Sequence, residues 1–245
     1  MRAFMIALQF LTCIPLSPHL TASEEELGKS MVYFPLVGLC IGGCLALVHF
    51  LLAALLPSGV VAGIVVALLA GLSGAIHLDG LADTADGVAG GRSREETLRI
   101  MKDPRVGAFG VICLVLVLML KYGALVAMPE QMKYRALLLV PMLGRWAQLI
   151  VAYRSDYAGL TPGIGFTFTR QLSFPMVFAA TLLVGACAVY LFSLKGLVVA
   201  GVMLGAGLCY AAYFRRTLGG VTGDVLGAAT ELAEVSALIL LLVKC

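Results

Sequence analysis

Apolar residues in this chain run in long unbroken stretches, and the polar residues gather between them. Seven stretches reach or approach the ~20 residues that a ~30 Å hydrocarbon layer demands, at about 31–56, 59–78, 106–128, 134–153, 173–194, 196–214 and 222–243. Continuous apolar character predicts helices in lipid, because barrel strands would alternate apolar and polar positions. The Phe4–Pro15 stretch is too short to cross, and no small-x-small cleavage site follows it, so an in-plane or re-entrant helix is expected. The expected fold is all-α: a polytopic helical membrane protein of about seven transmembrane helices plus that short N-terminal helix. No internal linker is long enough to divide the chain, so 1–245 reads as one integral membrane domain.

Local signals sharpen the connections. Ser23-Glu-Glu-Glu26 has capping-box spacing and predicts the start of the helix leading into the first span. Ser93-Arg-Glu-Glu96 predicts a second box, opening a short helix of about 94–102 that Pro104 closes. Leu98 and Met101 give that helix an apolar side suited to the membrane surface, with Arg99 and Lys102 on an adjacent face. Gly38-x3-Gly42 and Gly201-x3-Gly205 predict close helix–helix approach. The Gly-rich 154–172 segment reads as a mobile connector, with covering a site as the other reading.

Composition agrees: 61% of residues are hydrophobic, 13% are charged, and mean hydropathy is +1.01, which excludes an ordinary soluble domain. The basic residues set the orientation. Eleven of them (Arg2, Lys29, Arg92, Arg94, Arg99, Lys102, Arg105, Arg154, Arg170, Arg215 and Arg216) fall on one face, and four (Lys133, Arg135, Lys195 and Lys244) on the other. The richer face is expected to be cytoplasmic. A net charge of +3 adds no case for nucleic acid. Cys13, Cys40, Cys44, Cys113, Cys187, Cys209 and Cys245 form no CxxC pattern and read as reduced packing residues.

Against this background the carboxylates stand out. Asp79, Asp83 and Asp86 end the uncharged run Val60–Ile76, and offsets of four and seven put all three on one helix face. Near hydrocarbon each unpaired carboxylate costs roughly 2.5–3.5 kcal/mol, so a partner is required. Asp224, Glu231 and Glu234 form a second such set more than 130 residues downstream, entering the last span. Both sets fall toward the cytoplasmic face, which predicts convergence on one cavity able to hold a pair of Mg²⁺ ions and leave positions for substrate phosphates. Gly80, Gly87, Gly219, Gly220, Gly223 and Gly227 leave room for a bulky substrate. Arg92, Arg94, Arg99, Lys102, Arg105 and Arg216 would complete a phosphate site.

Other residues stay divided between two readings. Arg145, inside the fourth span, either pairs with one of these carboxylates or contacts phosphate. Lys121 snorkels or pairs structurally. His77 is a base or substrate contact, or a hydrogen-bonded interfacial histidine. His19 and His49 read as structural.

His77-Leu-Asp-Gly-Leu-Ala-Asp-Thr-Ala-Asp-Gly, Arg92-Ser-Arg, Met101-Lys-Asp-Pro-Arg-Val-Gly and Arg216-Thr-Leu-Gly-Gly-Val-Thr-Gly-Asp-Val-Leu-Gly-Ala-Ala-Thr-Glu-Leu closely resemble the cobalamin synthase family, the adenosylcobinamide-GDP ribazoletransferases. The likeness runs nearly end to end and is thinnest between about 110 and 205. One departure is Cys13, where the family often carries a basic residue. The resemblance implies a magnesium-dependent, multi-pass enzyme of the bacterial inner membrane with its site facing the cytoplasm. It implies that adenosylcobinamide-GDP reacts with α-ribazole, or its 5′-phosphate, and that GMP is released. Under that reading Asp79, Asp83, Asp86, Asp224 and Glu231 are the metal set. Asp86 and Glu234 are candidates for the base that takes the hydroxyl proton. A homo-oligomer is compatible with the sequence, which leaves the oligomeric state open.

Three other classes remain in view. CDP-alcohol phosphotransferases begin similarly, but where they carry arginine this chain has Asp83, and its second acidic set lies far downstream. Prenyltransferases of the UbiA type also pair aspartate motifs through magnesium. A cation transporter would place its acids near the midplane on broken helices, whereas these sit toward one face.

Overall fold

The computed structural model describes residues 1–15, 21–159, 161 and 163–243. His19, Lys244 and Cys245 lie outside the described residues. The described chain is helical: α1 (Arg2–Leu11), α2 (Glu24–Ser30), α3 (Phe34–Ala53), α4 (Ser58–Leu72), α5 (Ile76–Gly90), α6 (Arg94–Ile100), α7 (Ala108–Ala127), α8 (Glu130–Tyr153), α9 (Ile164–Gln171), α10 (Phe174–Thr217) and α11 (Gly223–Leu242). Five of these are long and apolar enough to cross a membrane, or six if the bent pair α4 and α5 is one span. The longest, α10, has 44 residues, about twice what the hydrocarbon requires. It breaks at Ser193 (φ 51°, ψ −135°). Beyond the break Gly196 lies against the carbonyl of Ala188, eight residues earlier, so the second half folds back on the first. The expected pair 173–194 and 196–214 is therefore a helical hairpin.

The chain's two ends of the bundle are distinct. His49 on α3 meets Glu130 at the start of α8, with 3.1 Å between Nε2 and Oε2, and Lys195 donates to the Val243 carbonyl (2.8 Å) at one end. At the other end the Cys13 amide donates to the Leu72 carbonyl (2.8 Å), and Lys102 reaches Asp224. A polytopic helical membrane protein follows from this arrangement.

Helix α8 is the axis of the bundle and packs on α3, α10 and α11. Gly38 and Gly42 make the closest of these approaches. A Cβ at Gly38 would stand 2.7 Å from Met142 Cα, and one at Gly42 would stand 2.8 Å from Leu138 Cα. The matching Gly201 and Gly205 pattern behaves differently, because both residues face open space. That expectation of close packing is corrected: equal spacing does not fix which face meets a neighbour.

Two further expectations change. The 59–78 run is not one span, since α4 ends at Leu72 and α5 leaves at 87°. Gly74 (φ 59°) and Ala75 (φ 57°) are both left-handed, which ends one helix and redirects the chain. Leu98 and Met101 do not lie on the membrane surface; both are buried, Met101 against Gly87 of α5. The Ser23 box forms in full, with Glu26 N donating to Ser23 Oγ (3.2 Å) and Ser23 N to Glu26 Oε2 (3.1 Å). At α6 only half forms. Glu96 N donates to Ser93 Oγ (3.2 Å), but the Glu96 carboxylate accepts from Arg92 N (3.0 Å) instead of Ser93 N. The short α1 buries Ile6, Ala7 and Leu11 against the bundle.

Candidate active site

The redirected helix α5 carries His77, Asp79, Asp83 and Asp86, and it crosses α11 with its backbone in contact. A Cβ at Gly80 would lie 2.9 Å from Asp224 Cα, and one at Gly227 would lie 3.3 Å from His77 Cα. Only glycine at these two crossings allows so close an approach. In consequence Asp83 lies within electrostatic reach of Asp79, Asp224 and Asp86 as like charges and of Lys102 as the opposing one. Lys102 Nζ stands 3.3 Å from Asp224 Oδ2. Thr222 caps α11 by accepting from Val225 N (3.3 Å), and its hydroxyl also donates to Asp224 (3.3 Å). Asp79, Asp83 and Asp224 thus make one acidic region, the mouth, where α5 crosses the start of α11.

Asp86 turns away from it. One carboxylate oxygen accepts from Gly107 N (2.7 Å) and the other from Gly110 N (2.8 Å), at the start of α7. A carboxylate there satisfies otherwise orphaned amides and complements the helix dipole. Neither oxygen is left idle, so the expected roles of Asp86 as metal ligand and base compete with this clamp.

Glu231 and Glu234 lie deeper, roughly 10–15 Å along α11 from Asp224 at 1.5 Å per residue. Both are buried, and both accept from Lys121 of α7 (2.6 Å to Glu231 Oε2). Arg145 of α8 donates to the second oxygen of Glu234. Two carboxylates and two cations balance, as buried charge in a membrane protein requires. Arg145 thus makes the carboxylate pairing that one of its two readings expected, and Lys121 likewise pairs. Arg145 Nη2 also approaches His77 Nδ1 (3.5 Å). A guanidinium only donates, so a hydrogen bond here needs the tautomer with Nδ1 unprotonated and the proton on Nε2. That buried Nε2 has no partner, and neither does Arg145 Nε.

Among the described residues, Arg92, Arg94, Arg99, Arg105 and Arg216 pair with none of the mouth carboxylates. Arg94 Nη2 donates to the Ala158 carbonyl (3.4 Å), and Arg92, Arg99 and Arg216 are exposed. Arg105 grips Asp103 through two bonds of 2.9 and 2.8 Å, and that side-chain bonding holds the Asp103 carboxyl down to about 2. The 154–172 segment is tied down at its described residues. Tyr157 pairs with Val221 in an isolated parallel bridge, and Gly165 of α9 presses on Gly223 N, immediately before Asp224. At those residues the segment packs beside the start of α11, next to Asp224. Lys121 and the Gly107 and Gly110 amides were not assigned to the site from sequence. Charge within an apolar span signalled the first, and nothing in the sequence marks the amides.

Among the described residues no group of three or more His, Cys, Asp or Glu side chains is already gathered to hold a metal ion. The donors in the mouth nevertheless fit Mg²⁺. They are hard carboxylate oxygens, and Mg²⁺ is commonly held by one or two carboxylates plus substrate phosphates and water.

A model of the cobalamin-5-phosphate synthase family matches residues 3–242. The chain belongs to that family. It is 42% identical over 241 residues to an adenosylcobinamide-GDP ribazoletransferase of Geotalea daltonii, covering 98% of this chain and 97% of the relative. A relative of the same name from Syntrophobacter fumaroxidans is 41% identical over 234 residues, 95% of this chain and 94% of that one. Another from Pseudomonas putida is 42% identical over 238 residues, 96% of each chain. No solved structure matches the chain. Within the family, what this chain's geometry adds is a division of its carboxylates: three at an open mouth, two in a buried ion network and one on a helix end.

Proposed function

We propose that the chain joins adenosylcobinamide-GDP to α-ribazole, or to α-ribazole 5′-phosphate, with release of GMP, in a Mg²⁺-dependent reaction. The observation that carries this is the contact of Gly80 with Asp224, which brings Asp79, Asp83 and Asp224 from two distant segments to one mouth. Relatives named for that reaction supply its substrates.

Asp79, Asp83 and Asp224 would hold Mg²⁺, which offsets charge on a diphosphate and on the departing phosphate. The chain's own residues do the rest. Lys102, paired with Asp224, is free to exchange that carboxylate for a phosphate oxygen. Arg99 and Arg216 stand exposed at the same end of the bundle, suited to orient the diphosphate. The acceptor hydroxyl loses its proton to a mouth carboxylate oxygen that Mg²⁺ leaves free, and Asp79, exposed at the start of α5, is our candidate to supply it. Asp86, Glu231 and Glu234 position the helices that carry these groups. The site faces the cytoplasm of a bacterial inner membrane, on the side rich in Lys and Arg.

The test is GMP release from adenosylcobinamide-GDP and α-ribazole by the purified chain in detergent, with Mg²⁺ present or chelated. Release that stops on chelation and returns with Mg²⁺ is expected. No release under any Mg²⁺ concentration rejects the reading.

A further inference from the structure

A hollow of about 260 Å³ lies between the C-terminal end of α5, the start of α6 and the end of α10. Val88 and Leu218 give it apolar walls, Thr97 a hydroxyl, Tyr213 a ring, and Arg92 and Arg94 two guanidiniums. Tyr213 packs edge-on against Phe214 (5.0 Å between centroids, 89° between planes), so its ring is held while 47% of the residue stays exposed. The Arg94 guanidinium lies over Gly219, its Cζ 3.6 Å from where a Cβ would stand. Gly219 is left-handed (φ 78°) and five residues before Asp224. On the other wall, Val88 is five residues beyond Asp83, about 7.5 Å along α5. The hollow therefore shares α5 with the mouth, and the short 218–222 connection leads from its Leu218 wall to Asp224.

We propose that this hollow receives the nucleoside end of the nucleoside diphosphate substrate, a purine base stacked on Tyr213 with Arg92 and Arg94 on its acceptor edge and nearer phosphate. A held aromatic ring offers stacking to a base, and guanidinium forks suit both guanine acceptors and phosphate oxygens. The apolar walls match a flat ring better than a hydrated ion, which would take the charges alone. The proposal deepens the reading given above and rests on it for the guanosine.

Two measurements on the full-length protein in detergent test it. In the first, 8-azidoguanosine 5′-monophosphate is photolysed with the unaltered chain, and the labelled peptides are mapped. Label in 88–97 or 213–218 that excess GMP prevents is expected; label confined to other segments overturns the proposal. In the second, Tyr213→Ala and Arg92→Ala are each expected to raise KM for adenosylcobinamide-GDP about tenfold or more, with KM for ribazole moved less than about twofold. A rise for ribazole alone assigns the hollow to the acceptor, and no change in either KM assigns it to neither; both overturn the proposal. Absence of turnover by the unaltered chain rejects the proposed reaction, while the labelling still reports on the hollow by itself.

Discussion

Gly80 of α5 lies against the backbone of Asp224 of α11, so close that a methyl group at position 80 would sit 2.7 Å from the Asp224 carbonyl oxygen. The two acidic segments, separated by more than 130 residues in sequence, meet at this contact and at that of Gly227 with His77. Gly80→Ala must push the helices apart, and overpacking of this kind costs about 1–3 kcal/mol. We expect turnover to fall about tenfold and the Mg²⁺ concentration for half-activity to rise. Gly43→Ala, where a Cβ meets open space, is the matched control and should leave both values unchanged. A Mg²⁺ titration of GMP release compares them, and equal curves for the two variants would show that the crossing does not set the site.

Asp83→Asn and Asp224→Asn remove charge from the mouth with little change of shape. Each should lower GMP release by about a hundredfold or more, because several kcal/mol of charge stabilisation is removed. Both variants should still insert and elute as the unaltered chain does. Asp224→Asn also releases Lys102 from its ion pair. Full activity in either variant counts against a shared metal site.

Asp86 separates a structural reading from a catalytic one. Asp86→Asn keeps one acceptor oxygen for Gly107 N or Gly110 N, whereas Asp86→Ala keeps none. If the residue clamps α7, thermal unfolding should rank unaltered above Asn above Ala, with Ala lower by roughly 1–2 kcal/mol. Activity should follow the same order. An Asn variant of unaltered stability with no turnover would instead make Asp86 the base or a metal ligand.

The sequence showed the spans and the acids because both are composition signals: long apolar runs, and charge where lipid forbids it. It showed less of what backbone geometry decides. The 87° turn between α4 and α5 rests on Ala75 in the left-handed region, a residue with no local propensity for it. The break in α10 falls on Ser193 for no reason legible in its neighbours. Asp79, Asp83 and Asp86 share a helix as their spacing predicts, yet Asp86 is claimed by amides 21 and 24 residues away, which no side chain announces. The pairing of Arg145 with Glu234 became visible only once α8 was seen to be the bundle's buried axis. The two Gly-x3-Gly pairs had identical spacing and opposite surroundings, since spacing alone does not say which helix face is covered.

The buried network makes a prediction in which removing two charges does less harm than removing one. Glu234 accepts from both Lys121 and Arg145, and both Glu234 and Arg145 are only 1% exposed. Glu234→Ala therefore leaves two cations sharing Glu231, an imbalance that typically costs about 3–5 kcal/mol when buried. The yield of inserted protein and its unfolding temperature should both drop. Adding Lys121→Met restores the balance, leaving Arg145 and Glu231 as one cation and one anion. The double variant should recover part of the lost stability, because deleting matched buried charges is often neutral. Turnover should recover with it, since the network acts on the mouth through the placement of α5 and α11. Strict additivity of the two single losses would mean that the charges are independent. A Glu234→Gln variant of unaltered stability but no GMP release would move Glu234 from the scaffold into the chemistry.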